Sequence, residues 1–321
     1  MYYPYFRGRQ AELLALKDLV SSGLLSRNIT PIIEPVKESP TIEQTIETFT
    51  DCQRKIAVIL NPEKGISSVE NSNVVWCDIL NLDGKASIVP AFLIDEKAES
   101  ILTNFINRPG CVNKATLGFA NRHSFDFIDS VKGVHLLSSL QPTVIAYPVE
   151  GNFMHKVNQI LNNTNCSAET VMFRDAFRKR RVNADYADVP DEIFSNDHLE
   201  YAANGYSGFG DYSIVGDTYE EAGFAPYAIV IHIVYFDDNN VLCIHHFVSD
   251  TNNDFRNPGK KFGEAGGKLL EWCSHMPKSL HTKGLDVLLD YSRKEAFPNL
   301  ATIKKLSIMH HLELLGRFLD K

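Results

Sequence analysis

Along the first 175 residues, short apolar runs alternate with stretches whose apolar positions recur every three to four residues. The runs at 4–7, 31–34, 55–61, 88–94, 115–119, 143–147 and 170–174 are strand-like, and a longer one follows at 227–236. Several are continuous, such as Ile56-Ala57-Val58-Ile59-Leu60. A strand apolar on both faces belongs in a parallel sheet covered by helices. The stretches between them have helical spacing: in 11–25, Leu13, Leu16, Val20 and Leu24 fall on one face, and 41–52, 96–106, 124–131 and 152–161 fill later gaps. Eight strands separated by helices predict an α/β fold, an elaborated (β/α)8 TIM-barrel-like architecture. An open doubly wound sheet is the alternative, and the GxGxxG that usually follows its first strand is absent.

The rhythm breaks after the seventh run. Residues 175–226 form a long insertion before the eighth strand, opening with Arg178-Lys179-Arg180-Arg181. Six acids follow over 185–200, then Gly205-Tyr206-Ser207-Gly208-Phe209-Gly210-Asp211-Tyr212. So many aromatics argue against disorder, and a loop of this length in a domain is commonly a lid or a binding loop. Gly208 and Gly210 are expected to let the chain turn tightly and drop Asp211 and Tyr212 over the barrel mouth. The cluster at 237–240 predicts a hairpin returning through 241–248. Helical patterns at 263–274 and 300–319 make a C-terminal helical extension. Three segments result: 1–174 with seven β/α units, 175–226 as insertion or lid, and 227–321 with the last barrel strand, hairpin and helices. Closure is expected between the 4–7 strand and the 227–236 strand.

Composition narrows the function classes. The chain has 321 residues with 44% hydrophobic, 22% charged and 10% aromatic residues, an ordinary globular balance. Its formal charge of −8 disfavours non-specific coating of nucleic acid, which needs many Lys and Arg contacts to phosphate; the Arg178–Arg181 patch is the local exception. No apolar run approaches a membrane span and the first residues show no signal pattern, so a cytoplasmic location is expected. The cysteines Cys52, Cys77, Cys111, Cys166, Cys243 and Cys273 are too far apart for a metal knuckle and are expected to be reduced thiols.

In a (β/α)8 barrel, functional groups sit at the C-terminal strand ends. Those ends offer Glu34, Asp95, Glu150 and, from the insertion, Asp211 as candidate catalytic carboxylates. Arg7, Asn61, Arg174 and Tyr212 are the candidate ligand-binding residues. Carboxylates mixed with arginines suit an anionic or phosphorylated ligand with acid–base support. Glu34, locked between Ile33 and Pro35, has an ion pair with Arg7 as its purely structural reading. The run Arg178–Arg181 is read first as a charged surface paired with the acids that follow. His245 and His246 are neighbours on a strand and point to opposite faces, so they do not chelate one metal together; His232 on the partner strand can approach one of them. No P-loop, HExxH, EF-hand or nucleophile-elbow motif is present, so no metal site is predicted and no cofactor is named.

The opening Tyr2-Tyr3-Pro4-Tyr5-Phe6-Arg7, followed by Gly8-Arg9-Gln10-Ala11-Glu12-Leu13-Leu14-Ala15-Leu16, resembles the start of the beta-protein family of phages and bacteria. That family begins with a Tyr-x-Pro-x-x-(Arg/Lys) strand and a Gly-x-Gln-x-Glu-x-x-Ala-Leu helix start. Ile29-Thr30-Pro31-Ile32-Ile33-Glu34 is similar to its next strand. The segments 205–217, Gly223-Phe224-Ala225-Pro226-Tyr227 and Ile244-His245-His246-Phe247-Val248-Ser249-Asp250 resemble a bacterial branch to which no reaction is assigned. The resemblance implies a barrel-like fold and membership of a two-gene cassette whose second product is a nuclease-like protein, in conflict with phages or mobile elements. Two functions are then open, beside a purely structural reading in which the insertion is an oligomer contact. One is a module that binds a ligand or the nuclease-like partner, with nucleic acid reached only through that partner or the arginine run. The other is an enzyme acting on a phosphorylated or nucleotide-like substrate at the barrel mouth.

Overall fold

A computed structural model describes residues 1–37, 39–63, 87–107, 115–218 and 225–321. Cys77, Cys111 and the Gly223-Phe224 pair lie outside them. The continuous apolar runs become parallel strands in chain order: β1 (Tyr5–Phe6), β2 (Ile32–Ile33), β3 (Ile56–Ile59), β4 (Ile88–Leu93), β5 (Leu117–Phe119), β6 (Val144–Pro148) and β7 (Glu169–Arg174). β3 is buried at every position, as two-sided burial requires. The next strand of the chain, β8 (Asp191–Ser195), joins a different sheet, and β9 (Gly208–Asp211) is the eighth member of the parallel sheet. It pairs with β7 from Val171↔Gly208 to Arg174↔Asp211. On its other side the chain's first residues complete the circuit: Tyr3 N–H donates to Phe209 O at 2.9 Å and Phe209 N–H to Met1 O at 3.0 Å. Tyr2 forms parallel bridges to both Ile29 and Phe209, so the sheet is a nearly closed barrel.

Two sequence expectations are thereby corrected. The run at 227–236 is not a barrel strand, and the glycine-rich segment is not a lid. The reason is steric. A Cβ on Gly210 would lie 2.5 Å from Tyr3 O and 2.7 Å from the Phe173 ring, and one on Gly208 would lie 2.8 Å from Met1 O. Glycine is needed here for close approach of strand to strand, not for a turn. Tyr2 stacks on Phe209 with centroids 5.0 Å apart, and Tyr5, Phe119 and Phe173 form a second ring cluster.

The barrel unit comprises Met1–Leu13, Arg27–Arg174 and Glu200–Asp211. α1 (Gln10–Ser21) starts within it. Glu12 is buried and accepts the backbone N–H of Arg7 at 3.0 Å and of Arg9 at 3.2 Å, which satisfies free donors at the helix start. α2 (Pro40–Asp51) buries Ile42, Thr45, Ile46 and Phe49, a helical stripe. α3 (Ala98–Ile106) and α5 (Phe153–Asn163) follow the same rule. The helix expected at 124–131 lies later, as α4 (Val131–Leu140). Ser130 caps it by accepting the Gly133 N–H at 3.1 Å, and residues 125–129 are turn.

The second unit comprises Leu14–Ser26, Asp175–Leu199 and Tyr212–Lys321. It holds the short helix α6 (Asp197–Glu200) up to Leu199, and a three-stranded antiparallel sheet. In that sheet β10 (Val230–Phe236) pairs with β11 (Leu242–Val248) in the expected hairpin, and β11 pairs with β8. The helices α7 (Pro258–Ser274), α8 (Lys283–Arg293) and α9 (Leu300–Leu319) complete it. Residues 306–316 of α9 are buried all round. Within that run His310 Nε2 donates to Val234 O at 2.7 Å, so its Nδ1 is left to accept the Thr282 hydroxyl at 2.8 Å. That is a neutral imidazole. Burial pushes His310 down to about 4 and His311 down to about 3.

Gly210→Ala is expected to destabilise the protein by about 1–3 kcal/mol through overpacking. Gly267→Ala, where a Cβ meets nothing on helix α7, is expected to stabilise it by up to about 1 kcal/mol. Urea unfolding of the two variants checks both signs. A second expectation concerns acid. The folded pKa values of His310 and His311 lie below the unfolded value of about 6.5, so the unfolded chain takes up protons first as pH falls. The stability is complete above about pH 6.5 and is progressively lost down to the folded pKa values near 4 and 3. Urea midpoints at pH 7 and pH 4.5 measure the loss, and His311→Leu should show a shallower dependence.

Candidate functional site at the barrel mouth

Parallel strands in a barrel bring all their C-terminal ends to one mouth. Glu34 follows β2 and is wholly buried. Its Oε2 accepts the Tyr5 hydroxyl at 2.8 Å and the Arg7 guanidinium, and its Oε1 accepts the Glu63 N–H at 2.7 Å. A buried carboxylate persists only when paired and hydrogen-bonded, and both oxygens meet that condition. The guanidinium also lies 5.2 Å from the Tyr5 ring centroid. Glu34 therefore links β1, β2 and the segment after β3.

Asn61 continues the ladder beyond β3. Its Oδ1 accepts the Leu93 N–H at 2.9 Å, and its Nδ2 donates to Leu93 O at 2.9 Å and to Asp95 Oδ1 at 3.1 Å. Asp95 Oδ1 also accepts the N–H groups of Lys97 and Ala98, both at 3.0 Å, and so satisfies two donors at the start of α3. Burial raises the Asp95 carboxyl above its ordinary value, with these hydrogen bonds opposing the rise. Asp211 ends β9, is buried, and accepts the Tyr2 hydroxyl at 2.6 Å. Arg174, exposed at the end of β7, lies opposite it in register.

Six of the eight candidates thus gather at strand ends, in three groups: Arg7 with Glu34, Asn61 with Asp95, and Arg174 beside Asp211. Two do not. Glu150 is exposed in the turn after β6, and Tyr212 belongs to the second unit, just before a short 3-10 turn at Ser213–Val215.

Beside the Asn61–Asp95 pair lies a cleft of about 640 Å³ over the ends of β3, β4 and β5. Its carboxylates are Glu63, Asp95, Glu96 and Asp126, set against Lys132 and His123. Asn121 shapes one wall by accepting the N–H groups of His123 at 2.9 Å and Ser124 at 3.2 Å, a capping box closed by the Ser124 hydroxyl. Sequence reasoning missed Glu63, His123 and Asp126. The Asn121-x-x-Ser124 spacing just past Phe119 was the available signal.

The other polar clusters lie in the second unit. Arg178 and Arg180 both reach Glu192, which also meets His246 Nε2 at 3.2 Å. The Nδ1 atoms of His246 and His232 are 2.8 Å apart, and burial lowers the pKa of both rings. Among the described residues no group of three or more His, Cys, Asp or Glu side chains is placed to hold a metal ion, and no helix is long and apolar enough to cross a membrane. No protein-family model, curated protein or solved structure matches this chain.

Removing Glu34 leaves a guanidinium and a tyrosine hydroxyl facing a buried space, so Glu34→Ala is expected to cost roughly 3–5 kcal/mol. Tyr5→Phe deletes one hydrogen bond and should cost about 1 kcal/mol. Glu150→Ala, at an exposed turn, should stay within about 0.5 kcal/mol of the parent. Chemical denaturation of the three variants tests this order.

Proposed function

We propose that the barrel unit binds a small polar ligand in the cleft over β3–β5, and that the protein is the binding component of a bacterial two-gene cassette acting against phages or mobile elements. The cassette, and the nuclease-like partner that would perform its chemistry, rest on the sequence resemblance. The ligand site rests on the cleft. Its size falls in the range of small-molecule sites, and its strand-end position is where barrels carry function. The observation that carries the reading is a division of labour among the polar groups. Glu34 is held by Arg7, Tyr5 and the Glu63 amide, whereas His123, Asp126, Glu96 and Lys132 are exposed along the cleft. Among the described residues, four carboxylates against one lysine and one histidine favour a ligand rich in amino or hydroxyl donors over a phosphorylated one.

A second reading is an enzyme at the same cleft, acting on a phosphorylated or nucleotide-like substrate. The Asp95 carboxyl, which burial raises above its ordinary value beside the cleft, supports it, because burial is how enzymes tune carboxyls for acid–base work.

The protein, incubated with a small-molecule extract of bacterial cells and examined by native mass spectrometry, should retain an adduct. Asp126→Lys should lose the adduct without a change in melting temperature. Release of the bound compound unaltered supports the binding module, and its conversion supports the enzyme. Equal retention by the parent and Asp126→Lys would place the ligand elsewhere.

A further inference from the structure

The second unit carries a cavity unlike the barrel cleft. It measures about 420 Å³ and is walled by Pro226, Ile229, Phe255, Phe297 and Leu300, with Ala301 at its edge. Phe255 and Leu300 remain 57% and 42% exposed, so the apolar wall is open to solvent. Lys261, 2% exposed, stands in this wall. Its ammonium donates to two backbone carbonyls, Tyr227 O at 2.6 Å and Asp254 O. Among the described residues no carboxylate forms an ion pair with it. Two neutral dipoles satisfy its hydrogen bonds, and the Asp254 carboxylate, which acts on it electrostatically, is ion-paired with Arg256, so the lysine shares that counter-charge in a place where an unmatched charge is costly.

Lys261 also lines an adjoining polar pocket of about 150 Å³, together with Arg256 and Lys260. The loop leading into α7 divides the two spaces. Asp254, Arg256 and Asn257 face the polar side, and Phe255 and Pro258 face the apolar side. The carboxylates near the polar side are engaged: Asp254 pairs with Arg256 at 2.6 Å, and Glu264 accepts the N–H groups of Asp250 and Thr251. Lys260 and Lys261 sit in the first turn of α7, which carries no acidic residue. Cations at the positive end of a helix dipole are unfavourable unless an anion accompanies them; Lys260 has Glu264 at 3.8 Å, and Lys261 has no ion-pair partner among the described residues.

We infer that this unit holds a small amphipathic carboxylate, its hydrocarbon part in the apolar cavity and its anionic head toward Lys261, Arg256 and Lys260. A cavity of 150 Å³ takes a benzene ring, so 420 Å³ accommodates a fatty or aromatic acid of roughly ten carbons. The inference is independent of the barrel cleft.

Isothermal titration of the full chain with decanoate and with decanol tests it. Decanoate should bind at least tenfold more tightly than decanol. Ala301→Trp, which fills the cavity from an exposed position, should abolish binding of both. Lys261→Met should keep decanol binding and lose the preference for the acid; should that variant not fold, the two ligands and Ala301→Trp still decide. Equal affinity for acid and alcohol, decanoate binding that survives Ala301→Trp, or no binding of either at millimolar concentration would overturn the inference.

Discussion

The barrel depends on the close approach of β9 to the first residues of the chain. Without it β9 and the first residues of the chain would be sheet edges, and their hydrogen-bonding groups would be open to solvent or to other chains. Gly208 and Gly210 make the approach possible, because any side chain at either position would meet Met1 O, Tyr3 or Phe173 at less than contact distance. Closure in turn sets the mouth. Tyr2 bridges to Phe209 and passes its hydroxyl to Asp211, so the residue at the end of the last strand is fixed by the first. Glu34 does the same one strand over, joining Tyr5, Arg7 and the Glu63 amide. Tyrosine-to-carboxylate bonds on both sides of the seam allow a buried negative charge to hold a sheet together.

The same glycines explain what could be read from the sequence and what could not. Strands such as Ile56–Ile59 announce themselves because two-sided burial demands unbroken apolar residues. Gly208–Asp211 has one apolar side chain, Phe209, and reads as a loop, although its backbone is as buried as that of β3. Burial there is reached by removing side chains rather than by making them apolar, and no hydrophobic pattern records that. The run at 227–236 carried the strand signal instead. It is a strand, but it pairs with β11 in an antiparallel sheet, a partner that periodicity along the chain cannot name. Helix α8 was missed although Leu285, Leu288 and Leu289 form a buried stripe at helical spacing.

Strand-end logic located Glu34, Asn61, Asp95 and Arg174 from the sequence, because a strand's last residue is fixed once its apolar run is known. It did not say which of them are engaged. Glu34 was legible as an ion-pair partner of Arg7, and that is where it stands. His123 and Asp126 were not legible, since they hang from a turn whose direction is set by the Asn121 and Ser124 hydrogen bonds rather than by strand register. Asp211 was found for the wrong reason: it reaches the mouth as the end of a strand, not as the tip of a lid.

Charge burial distinguishes the two candidate sites chemically. Glu34 is matched by a guanidinium and two further donors, so ligand binding at its oxygens would have to displace bonds already made. Lys261 donates its hydrogen bonds to carbonyl oxygens, and the Asp254 carboxylate that also acts on it is already paired with Arg256, so an arriving carboxylate adds opposite charge at Lys261. The gain is larger because the surrounding walls are apolar and screen little. The acidic cleft lies between these extremes. Its exposed carboxylates are hydrated, so a ligand there must replace water with hydrogen bonds of similar quality, and recognition must come from the placement of several donors rather than from one charge. The barrel cleft is thus suited to selecting among polar molecules, and the cavity beside Lys261 to capturing one class of anion.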